Sequence, residues 1–164
     1  MTDKITYNPL PPKEAIDYFR KKGYKTSFDW RDTWSEEHAY AFTVAKSMRN
    51  DILQDIRTAM DDAIANGATF NDFSKRLKPT LTDKGWWGEK LAIDPLTGEE
   101  KLVQLGSARR LRTIYNTNMR TAYAAGRWER IVRNKKSRPY LRYIAILDNR
   151  TRDQHRKWHD IILP

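Results

Sequence analysis

The sequence predicts a predominantly helical α+β fold, with two long helices, a small hairpin and a C-terminal strand. Two long stretches repeat apolar residues at spacings of three and four, which is the period of one helix face. Between them, the turn sequence Asp94-Pro-Leu-Thr-Gly98 separates two short apolar runs, as is typical of a β-hairpin. Residues 140–147 are rich in aromatic and β-branched side chains and indicate a strand.

Residues 1–34 are predicted to form an N-terminal arm that carries one short helix. Prolines in the first part of this region oppose regular structure. The helix is expected over residues 13–22, because Ile16 and Phe19 fall on one side and Gly23 supplies a stop. The aromatic-rich end of the region is predicted to be an irregular anchor.

The first long helix is predicted to begin after Ser35, a favourable N-cap that is followed by glutamates. Apolar residues recur at helical spacing from Ala39 to Ala63, and Gly67 supplies the C-terminal stop. A helix of about 30 residues is roughly 45 Å long at a rise of about 1.5 Å per residue. The sequence therefore predicts one continuous helix across this stretch.

A shorter helix and a tryptophan pair precede the hairpin. Thr69 and Asp72 have the spacing of a capping box, and Pro79 is expected to end the helix that they begin. The adjacent Trp86 and Trp87 are predicted to be a packed structural anchor, which is the more common role of such residues, and not a ligand platform.

The second long helix is predicted from Ser107 to about Val132, and its two faces differ. At about 100° per residue, six mainly apolar positions fall within about 80° of one another and define the core face. Five arginines fall within a second arc on the opposite side, called here the arginine face. The core face holds Leu111, Ile114, Asn118, Ala122, Ala125 and Val132. The arginine face holds Arg109, Arg112, Arg120, Arg127 and Arg130.

The distribution of charge leaves two interpretations of the arginine face. The net charge is +10, and +9 of it comes from residues 83–164. Between Gly106 and Lys136, Glu129 is the one acidic residue. Because guanidinium groups grip phosphate, the face indicates a surface for a polyanion such as nucleic acid, or for an acidic protein. The alternative is a solvated basic face that only keeps the chain soluble.

Asn118 is the one polar residue at the centre of the core face. A buried amide needs partners for its donors and its acceptor. We therefore expect Asn118 to join a hydrogen-bond network, with Thr151 or Asp148 as partners.

A weaker pattern near the C-terminus points to metal chemistry. His155 and His159 stand one helical turn apart, the spacing at which two imidazoles share a metal ion. With Asp148 or Asp153 they would form the site of a metal-dependent nuclease. The pair lacks the glutamate that follows the first histidine in the zinc-protease motif, so no metal site is predicted in this chain.

The composition excludes several functional classes. Because the chain has no cysteine, it forms no disulfide, thiolate nucleophile or Cys-ligated metal site. The sequence contains no Gly-rich phosphate loop, nucleophile elbow, kinase motif set or EF-hand loop. It has no window of 18 apolar residues and no secretory leader pattern. We therefore expect a protein that is not an enzyme, binds no cofactor and has no membrane partner.

Three segments carry a resemblance to a known family. Residues 109–128 resemble the central helix of the Mu F-like head morphogenesis proteins, the minor head proteins of Mu-like tailed bacteriophages. Residues 147–155, Leu-Asp-Asn-Arg-Thr-Arg-Asp-Gln-His, resemble the Asp-x-Arg-Thr-Arg-x-x-His signature of that family. Upstream segments such as residues 85–88, Gly-Trp-Trp-Gly, are also similar to Mu-type members. The resemblance covers about residues 28–160, and the order of the segments makes it specific.

The resemblance implies a role and a set of partners. Such a protein is packaged in small copy number inside the procapsid, contacts the portal, other head proteins and nonspecific double-stranded DNA, and acts in head assembly or in genome packaging and ejection. It is found in the virion head and, during assembly, in the bacterial cytoplasm, and the resemblance implies no established enzymatic activity. The arginine face would then bind DNA or the portal. A structural turn that pins the strand to the long helix would be formed by Asp148, Arg150, Thr151 and His155.

The resemblance assigns residues 35–164 to the family domain in a C-terminally truncated form. Family members usually continue through a glycine, a proline-rich stretch with tryptophan and a Cys-x-Cys ending, whereas here Asp160 stands near the usual glycine and the sequence stops at Pro164. We therefore expect that a metal site made of His155 and downstream cysteines cannot close in this chain. A toxin-delivery adaptor is a further alternative, which neighbouring genes would distinguish.

Overall fold

The computed structural model describes residues 12–26, 41–45, 47, 49–94 and 97–164. Within them, the helices are α1 (Lys13–Lys21), α2 (Asn50–Asn66), α3 (Phe70–Asp83), α4 (Ala108–Arg133) and α5 (Asp153–Trp158). The strands are β1 (Gly23–Tyr24), β2 (Ala41–Phe42), β3 (Glu89–Ile93), β4 (Glu100–Gln104), β5 (Leu141–Arg142) and β6 (Ile162–Leu163). The predicted class, α+β with a predominance of helix, is confirmed.

The chain divides into two compact units, Met1–Gly126 (unit 1) and Arg127–Pro164 (unit 2). Within unit 1, β1 pairs with β2 in parallel and β3 pairs with β4 antiparallel. Within unit 2, β5 pairs with β6 antiparallel. The boundary predicted between residues 34 and 35 lies outside the described residues and stays a prediction, as does the irregular aromatic anchor before it.

The first long helix begins later than the sequence predicts. α2 starts at Asn50 instead of after Ser35, which itself lies outside the described residues. Upstream of α2, the described chain is extended, and β2 pairs with β1. The predicted end of the helix is confirmed at Gly67, whose φ of 66° is a left-handed conformation that glycine adopts readily.

The extended segment before α2 has a physical reason in its packing. Phe42 is buried and packs edge-to-face against Phe19 of α1, with ring centroids 5.6 Å apart. Val44 is also buried, and the β-branched Thr43 beside it favours extended backbone. Apolar residues at spacings of three or four therefore do not specify a helix where tertiary packing favours an extended chain.

α3 begins as predicted and ends later than predicted. The Thr69 hydroxyl accepts a hydrogen bond from the Asp72 N–H at 3.3 Å, and the Asp72 carboxylate accepts one from the Thr69 N–H at 3.2 Å. The predicted end at Pro79 is wrong, because the helix continues to Asp83. Leu81 is fully buried, and the free energy gained by its burial offsets the cost of the backbone hydrogen bond that Pro79 cannot donate.

The hairpin of β3 and β4 and the tryptophan pair before it form as predicted. Trp86 is buried, which confirms its role as a packed anchor, and the Lys78 Nζ lies 5.2 Å from the ring centroid of Trp87. Gly106 follows β4 beside this pair. A Cβ at this position would overlap the Trp86 carbonyl oxygen and come within 2.7 Å of the Trp87 ring, so the packing requires glycine.

The apolar faces of α1, α2, α3 and α4 form the core of unit 1. The largest contribution comes from α2, whose fully buried residues follow the spacing of one helix face. They include Leu53, Ile56, Met60 and Ile64. α4 approaches α1 closely at Gly126, where a Cβ would lie 2.9 Å from the backbone nitrogen of Ala15.

α4 confirms the predicted second long helix and most of its core face. Leu111 and Ala122 are fully buried in unit 1, and Ile114 packs against the same core. The assignment of Val132 to the core face is wrong, because 53% of its surface is exposed. Val132 belongs to unit 2, in which every residue is described and none is buried.

The C-terminal strand is shorter than predicted. β5 contains only Leu141 and Arg142, which pair with the two residues of β6. After β5, the backbone of Tyr143 still accepts a hydrogen bond from Asp160 N–H and donates one to the Ile161 carbonyl, and the chain to residue 147 is irregular.

The last helix, α5, begins at Asp153. The residue before it, Arg152, occupies the N-cap position without a side-chain hydrogen bond. Among the described helices, none is both long and apolar enough to cross a lipid bilayer.

Candidate anion-binding surface and C-terminal turn

The arginine face begins in unit 1, where α4 exposes Arg109, Arg112 and Arg120 to solvent. The Cζ atom of Arg112 lies 4.3 Å from the ring centroid of Phe70, a cation–π contact that holds this guanidinium in place. The side chains of Arg109 and Arg120 have no hydrogen bond or ion pair with any described residue. No carboxylate in the described part of the chain therefore neutralises these three charges.

Arg127 and Arg130 extend the predicted face into unit 2, and both are exposed. They line an open cavity of about 440 Å³. A third arginine, Arg138, reaches the same cavity from the loop after α4, and the helical periodicity of the sequence gave no signal for it. The remaining lining residues are Ile131, Asn134, Tyr140 and Leu141.

Arg110 follows Arg109 in the sequence but has a structural role. It is partly buried, and its guanidinium donates hydrogen bonds to the backbone carbonyls of Gln104, Leu105 and Ala45. Its Cζ atom also lies 5.0 Å from the ring centroid of Trp86. Burial lowers the pKa of Arg110 from its ordinary value. The absence of Arg110 from the predicted arginine face agrees with these contacts.

Asn118 is partly buried on the core face of α4, as predicted. Its side-chain amide donates a hydrogen bond of 2.8 Å to the carbonyl of Ile114, one turn earlier in the same helix. This local bond within α4 gives the amide one partner, and the expected network with Thr151 or Asp148, which belong to unit 2, stays a prediction.

The predicted structural turn in unit 2 is closed by Asp148 and Thr151. The Thr151 hydroxyl accepts a hydrogen bond from Asp148 N–H at 3.2 Å and donates one to the Asp148 carboxylate at 2.9 Å. The same carboxylate accepts from the N–H of Arg150 at 3.0 Å. The hydrogen bond from Thr151 is the main cause that lowers the pKa of Asp148, followed by the one from Arg150.

Arg156 ties this turn to α5, a role that the sequence did not indicate. Its guanidinium donates to the backbone carbonyls of Thr151, at 3.2 Å, and Asp148. The Arg150 side chain, by contrast, is exposed, and only its backbone N–H takes part in the turn. The described hydrogen bonds of Asp148, Thr151 and His155 join residues within unit 2, and the expected tie to the long helix stays a prediction.

His155 is held by an aromatic cluster within unit 2. The Tyr143 hydroxyl lies 2.6 Å from the His155 Nδ1, and the two rings are stacked with centroids 6.1 Å apart. Trp158 meets both rings edge-on, at centroid distances of 5.9 Å from Tyr143 and 5.4 Å from His155. This cluster joins α5 to the segment after β5.

His159 and Asp160 form a second contact between α5 and the segment after β5. The His159 Nδ1 accepts a hydrogen bond of 3.1 Å from Ala145 N–H, so the proton of the neutral ring is on Nε2. Asp160 pairs with Arg142 at 2.8 Å and has a φ of 67°. Glycine adopts such a φ without strain, which agrees with the glycine expected near this position from the family resemblance.

The side chains that the nuclease alternative required do not meet at one point. His155 bonds to Tyr143, His159 bonds to Ala145, and the Asp148 carboxylate bonds within its own turn. In the part of the chain that the structure describes, no three His, Asp or Glu side chains are grouped as metal ligands would be.

Comparison with known proteins identifies the family. The profile of the family described as Phage Mu protein F like protein matches residues 54–164. Protein F of Escherichia phage Mu, which is provisionally named a capsid assembly protein, is 44% identical over 153 residues, covering 93% of this chain and 35% of that protein. The Mu-like prophage FluMu F protein of Haemophilus influenzae is 45% identical over 133 residues, covering 81% of this chain and 31% of that protein.

The match includes both the long α4 helix and the C-terminal turn. The chain spans about a third of the length of these curated relatives. No solved structure matches it. The resemblance found in the sequence is confirmed, and the chain belongs to the Phage Mu protein F like family.

Proposed function

We propose that this chain is a non-enzymatic phage head morphogenesis protein that acts in procapsid assembly or in genome packaging and ejection, through contacts with the portal and with DNA. The name of the phage Mu relative, which refers to capsid assembly, supports the assignment to the phage head. The proposed locations are the virion head and, during assembly, the bacterial cytoplasm.

The observation that carries the proposed DNA contact is the exposure of the arginine face. All five of its arginines are exposed, and none forms an ion pair with a described carboxylate. Arginines that bind neither a carboxylate nor a backbone carbonyl keep their donors free for phosphate or for an acidic protein. No base-reading motif accompanies them, so the proposed binding of duplex DNA is independent of sequence.

Fluorescence anisotropy with duplex DNA across a salt series tests this contact. If all five arginines contact phosphates, log affinity falls with log salt with a slope of about −4 to −5. Replacing Arg120 and Arg127 by alanine should reduce that magnitude by about 2. A matched control removes the exposed Lys13 and Lys21 of α1, which should change the slope by less than about 1.

The absence of binding by the unmodified chain at low salt would refute direct DNA contact. The portal contact is tested separately by capture of the portal protein from the same phage. Retention of the portal by the chain, with loss in the Arg120→Glu and Arg127→Glu variant, is the expected result. Equal retention by this variant would show that the arginine face does not bind the portal.

A further inference from the structure

The cavity in unit 2 brings together arginines from two parts of the chain. Arg127 and Arg130 lie three residues apart on α4, so both point to the same side of the helix. Arg138 lies five residues beyond the end of α4 and lines the same cavity of about 440 Å³. Tyr140, which is 69% exposed, adds a phenol and an aromatic ring to the lining.

Asn134 builds the loop that carries Arg138 back to the helix. Its side-chain amide donates to the Arg130 carbonyl at 2.8 Å, which anchors it to the last turn of α4. The backbone carbonyl of Asn134 accepts hydrogen bonds from Ser137 N–H at 3.0 Å and Arg138 N–H at 2.8 Å. These hydrogen bonds hold the backbone of Arg138 beside the cavity before any ligand is present, and preorganisation of the loop favours binding.

The guanidinium groups of the cavity have no counter-charge. Those of Arg127, Arg130 and Arg138 form no hydrogen bond or ion pair with any described residue, and no described lining residue is acidic. Unit 2 as a whole carries eleven Lys and Arg against four Asp and Glu, a net charge of +7 in a chain whose total is +10. Such a concentration of positive charge extends beyond the cavity and suits an extended anion.

We propose that this cavity binds phosphodiester groups of a nucleic-acid backbone, with Arg127, Arg130 and Arg138 as the phosphate ligands. The inference rests on the DNA contact proposed above and deepens it, because it selects one place on the chain and adds Arg138 to the binding residues. Three forked guanidinium groups around one concave site provide bidentate donors to phosphate oxygens. Asn134 and Tyr140 shape the site, and Tyr140 also offers a hydroxyl donor.

Arg138 and Arg152 separate this proposal from binding by surface charge alone. Both are exposed arginines of unit 2 whose side chains have no described partner, Arg152 does not line the cavity, and each alanine variant removes one charge. The cavity predicts that Arg138→Ala weakens duplex DNA binding about tenfold at low salt, whereas Arg152→Ala weakens it no more than about threefold. Arg138→Lys keeps the charge but loses the fork, so it should restore less than half of the lost binding free energy.

The outcomes of the anisotropy experiment are distinct. A larger loss for Arg138→Ala than for Arg152→Ala, with unchanged thermal melting of both variants, supports the cavity. Equal losses, or full restoration by Arg138→Lys, would overturn the cavity and leave DNA binding by general surface charge. No binding of DNA by the unmodified chain would overturn both the cavity and the proposed DNA contact.

Competition identifies the source of the anion. Inorganic phosphate should displace DNA no better than chloride at equal ionic strength, because one free ion does not replace several backbone contacts. Displacement by sub-millimolar phosphate would instead define a site for the free ion. Poly-glutamate of matched charge should also compete poorly, and stronger competition by it than by unlabelled DNA would assign the cavity to an acidic protein.

Discussion

Arg109 and Arg110 are consecutive on α4, but their identical side chains have different surroundings. Arg109 is exposed, whereas Arg110 reaches inward, donates to three backbone carbonyls and covers the Trp86 ring. A shift of about 100° around the helix separates a solvent position from a position beside the core. The same guanidinium is therefore open to solvent in one case and bonded to backbone carbonyls in the other.

Replacement of Arg110 should destabilise unit 1. Arg110→Ala leaves the carbonyls without their donor, so we expect a loss of about 2–4 kcal/mol in the free energy of unfolding. Arg110→Lys should recover only part of this loss, because one ammonium cannot reach all three carbonyls. Arg109→Ala is the matched control and should change stability by less than about 0.5 kcal/mol in urea denaturation. Equal effects of the two alanine variants would contradict the structural role of Arg110.

The turn at Asp148 should depend on pH in the acidic range. Its pKa lies below the ordinary value of 3.8, chiefly because the Thr151 hydroxyl donates to the carboxylate. The contribution of a carboxylate with a depressed pKa is fully present above the unfolded value and is lost as pH falls through the folded value. We therefore expect the Thr151 and Arg150 amide signals in NMR spectra to stay constant down to about pH 4 and to change below it.

Thr151→Val provides the control for the pH dependence of this turn. Valine preserves the shape of the side chain but removes the hydroxyl, so the titration midpoint of the Asp148 carboxyl carbon should move upward towards 3.8. A midpoint that is the same in both proteins would show that this hydrogen bond does not set the pKa.

At the level of elements, the contact between α1 and α4 depends on the absence of a Cβ at Gly126. Gly126 is buried near the end of unit 1, and a Cβ there would lie 2.9 Å from the nitrogen and 3.3 Å from the Cα of Ala15. A glycine inside a helix costs about 1 kcal/mol relative to alanine. The close approach of the two backbones explains why glycine occupies this position despite that cost.

The sign of the effect of Gly126→Ala tests this contact. Helix propensity alone predicts a gain in stability of about 1 kcal/mol, whereas the clash with the backbone of α1 predicts a net loss of about 1–3 kcal/mol. We expect the loss, measured by urea denaturation. The reverse exchange at the exposed Ala124, Ala124→Gly, should cost about 1 kcal/mol through propensity alone. A more stable Gly126→Ala variant would show that α1 and α4 tolerate a wider separation.

At the scale of the whole molecule, the apolar core belongs to unit 1. Its buried residues come from α1 to α4, the segment around Phe42 and the hairpin with its tryptophan anchor. Unit 2, by contrast, is described in full and has no buried residue. Its order comes from local hydrogen bonds, the aromatic contacts of His155 and a two-residue strand pair.

Hydrogen exchange should reflect this difference between the units. Amides of α2 are expected to exchange only on global unfolding, because this helix contributes fully buried residues to the core. Amides of α5, β5 and β6 should exchange at least about tenfold faster, because local opening exposes little apolar surface. The intact chain is labelled for defined times and then digested, and mass spectrometry of the peptides checks this expectation. Equally slow exchange in both units would contradict it.

The sequence alone determined those features that depend on a few neighbouring residues. The capping box at Thr69, the glycine stop at Gly67 and the turn between β3 and β4 were all predicted, because each is a local conformational preference with a short signature. The period of α4 likewise identified five of its exposed arginines. The family signature was also legible in the sequence, because three segments match in order.

Only the tertiary structure decided which of two local possibilities each segment adopts. The chain around Phe42 is extended because that ring packs against Phe19, a residue distant in sequence, and Pro79 stays inside a helix because Leu81 is buried after it. Arg138 joins Arg127 and Arg130 because the loop at Asn134 folds back on α4. The first two outcomes depend on contacts between residues that are far apart in the chain, and the third depends on how one loop folds. The period of a helix contains no information about either.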